Sequence, residues 1–149
     1  MTLSKNHIVD HLKNALHPSL YPEEKTFSNG AYLLTRHDGG RYCLAITQRQ
    51  EDISLDHRVR DIRKQVRRET GACWLLREVG LSIIVISSSP EDLDEDALPD
   101  ADKTGLHAVI LQGIHIIAPS GEHIFNQSAW GKVGFGLSDV ISETLDQVQ

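Results

Sequence analysis

The chain has 149 residues, of which 40% are hydrophobic, 24% charged and only 5% aromatic, the length and mixture of one compact soluble domain. Its longest apolar stretch, interrupted by Gly113 and His115, falls short of the roughly 20 residues that span a bilayer, and Met1 to His7 lack the apolar run of a signal peptide, so no membrane is expected. Two cysteines far apart, Cys43 and Cys73, point to a reduced cytoplasmic setting, and a net charge of −6 argues against nucleic acid as a partner.

A first helix is predicted from Ser4 to Leu16, with Ser4 as N-cap, Ile8, Leu12 and Leu16 on its apolar face, and Pro18 beyond its end. His7 and His11 stand one turn apart, a spacing that can hold a metal from one face, but local sequence supplies no third ligand. No metal or other cofactor is expected. Residues 17–22 read as an irregular linker. Two β-rich runs follow, 31–36 and 42–47, and Asp38-Gly39-Gly40 between them is a hairpin signal, because glycine takes the positive φ of a tight turn without cost. Cys43 falls within the second run and is expected in the core.

The next element is the most strongly patterned. Leu55, Val59, Ile62 and Val66 recur at i, i+4, i+7 and i+11, the buried stripe of a helix capped by Ser54 or Asp52 and ended at Gly71. Arg60, Arg63, Lys64 and Arg67 project to the opposite side as a basic ridge, the leading candidate for a partner-binding surface. The segment Arg68-Glu69-Thr70-Gly71-Ala72 resembles the end of a Nudix box. Gln65 and Arg68 stand where that pattern needs two of its carboxylates, so its Mg²⁺ site cannot be assembled. Cys73 follows a helix C-terminus, whose dipole disfavours a thiolate, and reads as a packing residue.

Val79 to Ser87 is β-branched, apolar and short, a central strand. An exposed acidic loop is expected over about 88–104. Seven acids between Glu91 and Asp102 stand there without one Lys or Arg, and the rest of the chain carries 15 basic against 14 acidic residues. The net charge therefore belongs to one segment. Asp92, Asp94 and Asp96 mimic the first positions of an EF-hand, the weak metal candidates of the chain, but Ala97 and Lys103 replace the glycine and the bidentate glutamate. A strand from His107 to Ala118, a turn at Pro119-Ser120-Gly121-Glu122 and a strand near His123 to Phe125 form a second hairpin. Gly131 to Gly136, followed by a helix from Ser138, offers an alternative anion or nucleotide site with Lys132, Gly134, Gly136 and Ser138 as contacts.

The predicted order, α-β-β-α-β-β-β-α, implies a single α+β domain over residues 1–149, with a mainly antiparallel sheet of about five strands. In order alone it is similar to roadblock, longin and profilin-like domains. No complete catalytic constellation is present. The functional expectation is a small cytoplasmic protein–protein interaction module without its own catalysis, recognising another protein, or a second copy of itself, through the basic helix and the acidic loop.

Overall fold

The computed structural model describes residues 4–16, 21–27, 31–37, 41–50, 52–70, 79–88, 93–94, 96, 98–100, 109–127 and 138–148. They form three helices, α1 (Lys5–Leu16), α2 (Leu55–Thr70) and α3 (Ser138–Asp146). The six strands are β1 (Glu23–Thr26), β2 (Tyr32–His37), β3 (Arg41–Gln48), β4 (Val79–Ile86), β5 (Val109–Ile117) and β6 (His123–Gln127). The strands lie in one sheet in sequence order, β1-β2-β3-β4-β5-β6.

Two expectations are corrected. A strand precedes the first predicted hairpin, because Glu23-Glu24-Lys25-Thr26 pairs antiparallel with β2, so the order is α-β-β-β-α-β-β-β-α. The sheet is mixed and not mainly antiparallel: β3–β4 and β4–β5 are parallel, while β1–β2, β2–β3 and β5–β6 are antiparallel. Connection length explains this. Tight turns return the chain antiparallel, whereas α2 carries it back across the sheet so that β4 starts at the same end as β3. The likeness in element order to scaffolding domains loses its basis with that correction.

Burial follows from the same topology. All eight residues of β4 and all nine of β5 are buried, as parallel strands covered on both faces must be. On one face α2 lays Val59, Ile62 and Val66 against Cys43, Ala45, Leu81, Ile83, Val85, Leu111 and Ile114. Ile62 has no exposed surface, and such burial is worth about 1.5–3 kcal/mol. On the other face Ile8, Leu12 and Leu16 of α1 and Ile141 and Leu145 of α3 cover Leu34, Leu44, Ile46, Ile84 and Ile117. Arg36 is buried there as well, its guanidinium 4.5 Å from the Tyr42 ring centre and 6.0 Å from that of Tyr21, a cation–π arrangement.

Local chemistry sets the element ends. Ser4 Oγ accepts the His7 N–H at 3.1 Å and Ser54 Oγ accepts the His57 N–H at 3.2 Å, both N-caps. Between β3 and α2, the Arg49 N–H donates to the Ile86 carbonyl, and its guanidinium donates to the carbonyls of Gln50 and Ile53. At the second hairpin Gly121 has φ 92°, and the Ala118 N–H donates to the Glu122 carbonyl at 2.9 Å. The backbone conformation is the one that favours glycine.

Candidate interaction surface

The basic ridge is built from the helix outward. With Val59, Ile62 and Val66 committed to the core, the 3.6-residue period sends Arg60, Lys64 and Arg67 into solvent, and leaves Arg63 half-buried at the margin. Arg58 falls on the inner side between Leu55 and Ile62. It is buried and donates from Nε and Nη2 to Thr47 Oγ1 at 3.0 and 2.5 Å. Burial lowers its pKa, with the nearby Asp61 charge acting in the opposite sense. One helix thus carries a buried cation that fastens it to β3 and a row of exposed cations on its outer side.

Part of the acidic stretch comes to this same face. Leu98 is buried and Leu93 half-buried in the core beneath α2, which holds the segment against the sheet, while Asp94 and Asp96 are exposed. Asn126 of β6 donates from Nδ2 to the Pro99 carbonyl at 3.3 Å and to Asp100 Oδ1 at 3.2 Å. Asp100 then lines a cavity of about 340 Å³ together with Asp56, Arg60 and Arg63. Arg60 and Arg63 and the acidic stretch, far apart in sequence, meet at the flank of α2.

The remaining candidates are placed as follows. Asp94 Oδ1 accepts the Asp96 N–H at 3.0 Å, a local turn. Asp92 lies outside the described residues, and no group of three or more His, Cys, Asp or Glu among the described residues is arranged to hold a metal ion. His7 and His11 approach the end of α3, with Nε2 atoms 3.3 Å from the carbonyl oxygens of Val148 and Thr144. The last turn of a helix leaves carbonyl oxygens without an intrahelical donor, and a ring N–H can donate to them. Cys43 is a free thiol in the core, 3.8 Å from Thr35 Oγ1, and burial pushes its pKa up to about 11, far from a reactive thiolate. Cys73, Lys132, Gly134 and Gly136 lie outside the described residues; of Ser138 only the backbone, at the start of α3, is described.

Two groupings had no counterpart in the sequence reading. His115 of β5, fully buried, stacks on Phe125 of β6 at 5.5 Å, and Phe125 in turn lies 6.2 Å from His123, whose Nε2 is 2.5 Å from Asp146 Oδ1 of α3. The β5–β6 register sets this row: His115 faces Phe125 and Ile117 faces His123, so all three rings share one side. The second is a larger cavity, about 560 Å³, where β1, β2, β3 and the end of α2 converge. The unusually charged Glu23-Glu24-Lys25 run is its one sequence signal. No helix among the described residues is long and apolar enough to cross a membrane. No protein-family model, curated protein or solved structure matches the chain significantly.

Proposed function

We propose that the chain is a protein-recognition module, without catalysis of its own, that binds an acidic protein segment along the outer ridge of α2. The observation that carries this reading is the division of labour on α2. Its apolar face is fully used by the core, while Arg60, Lys64 and Arg67 stand exposed within two turns. Such a row complements carboxylates spaced along a partner, and charge of this kind contributes association rate and selectivity more than raw affinity. Aromatic side chains are absent from α2, so the ridge offers no stacking surface for unpaired bases. The free, buried Cys43 thiol supports a reducing, cytoplasmic location.

The test uses the full chain and a fluorescent polyglutamate peptide. Anisotropy should show binding at low ionic strength that weakens steadily with salt. The variant Arg60→Glu, Lys64→Glu, Arg67→Glu should lose it while keeping its thermal midpoint, since surface substitutions of this type cost about 0.5 kcal/mol or less each. No binding at low ionic strength, equal binding by the variant, or a preference for a single-stranded oligonucleotide would each overturn the reading. Sedimentation of the same two proteins decides between a foreign partner and a second copy of the chain, because only self-association would be concentration-dependent without peptide.

A further inference from the structure

We infer that the acidic stretch is an autoinhibitory segment, held beside the basic ridge of α2 so that its carboxylates compete with those of an acidic partner. The inference rests on the ridge being a partner-binding surface and concerns how that surface is regulated. Seven acids stand between Glu91 and Asp102 without one Lys or Arg, so the stretch has the composition of the ligand that the ridge complements.

Apolar and polar contacts fix the stretch to this side of the sheet. Leu98 is buried and Leu93 half-buried in the core that includes Val59, Ile62 and Val66 of α2. Asn126 of β6 donates from Nδ2 to the Pro99 carbonyl at 3.3 Å and to Asp100 Oδ1 at 3.2 Å. A bond from a neutral amide leaves the Asp100 carboxylate its charge. Asp100 lines the cavity of about 340 Å³ on which Asp56, Arg60 and Arg63 also lie. Among the described residues two carboxylates thus stand against two guanidinium groups there, so the chain's own acids already balance the flank of the ridge. A foreign carboxylate approaching Arg60 meets repulsion from Asp100, and at 0.01 M salt such repulsion reaches about 30 Å. Asp94 and Asp96, exposed on the same stretch, add to it. A competitor carried within the chain acts at an effective concentration on the order of millimolar, above that of a partner supplied at micromolar concentration.

Anisotropy of the fluorescent polyglutamate peptide with the full chain tests it. The triple variant Asp94→Asn, Asp96→Asn, Asp100→Asn keeps the Oδ1 atoms that accept from the Asp96 N–H and from Asn126, and loses only charge. Its counterpart, Asp10→Asn, Glu122→Gln, Glu143→Gln, removes the same number of charges at exposed positions of α1, the second hairpin and α3. At low ionic strength the first should bind the peptide roughly threefold or more tighter than the second. That advantage should fade as salt is added. Asn126→Ala, which changes no charge but opens the clasp on Pro99 and Asp100, should also bind more tightly than the parent. Equal affinity of the two triple variants, or an Asn126→Ala affinity no higher than the parent's, would overturn the autoinhibition while leaving ridge-dependent binding in place. Silence of every variant toward the peptide would overturn the ridge itself and its regulation with it.

Discussion

His115 has no exposed surface, and its ring is stacked on Phe125 with His123 beyond. Burial, with a smaller contribution from the His123 charge, pushes its pKa down from 6.5 to about 3. The folded protein therefore holds this imidazole neutral where the unfolded chain would protonate it. Above pH 6.5 both states are neutral and His115 adds no pH dependence. Between that value and about 3 the unfolded state binds the extra proton, so stability falls as pH falls through this window. The contribution to the slope reaches about 1.4 kcal/mol per pH unit. His115→Phe keeps an aromatic ring against Phe125 and removes the proton. Urea unfolding at neutral pH and at about pH 5 should show a smaller loss of stability on acidification in the variant than in the parent. An identical loss in both would mean that His115 is protonated in the fold.

At the scale of elements, α1, α2 and the second hairpin could be read directly, because capping serines, a 3.6-residue apolar period and a glycine turn are local signals. The pairing of β4 with β5 could not. Both strands are buried on both faces, so neither shows the alternation that would set register. The register is offset by a bulge at Gln112: Leu111 pairs with Leu81 but Gly113 pairs with Ser82, which keeps both Leu111 and Ile114 on the α2 side. The neighbouring strand accommodates the extra side chain through Gly80, where an added Cβ would sit 2.6 Å from Gln112 Cδ. Gln112 is buried, so its amide cannot swing into solvent. Gly80→Ala should consequently destabilise the protein by about 1–3 kcal/mol. Introducing it into Gln112→Ala should cost much less, a non-additivity measurable by a double-mutant cycle in urea. Additive costs would place the strain elsewhere. The charged cavity was equally hidden, since Glu23, Thr35, Arg41 and Glu69 come together only through β1, whose Glu-Glu-Lys-Thr sequence carries none of the β-branched apolar character of a strand interior.

Across the whole molecule, stability is graded from the centre of the sheet to its β1 edge. β4 pairs on both sides and is covered by α2 on one face and by α1 and α3 on the other, whereas β1 has four exposed residues and one neighbour. Two ion pairs hold β1 to the helices, Lys13–Glu24 to α1 and Lys25–Glu69 to α2, each 2.5 Å long, and pairs this accessible contribute about 0–1 kcal/mol each. Native-state hydrogen exchange should separate the two regimes. The amides of Ile83 to Val85 should exchange only through global unfolding, with the full denaturant sensitivity of the protein, and the hydrogen-bonded amides of β1 through local opening with little sensitivity. Equal protection of β1 and β4 would contradict the gradient.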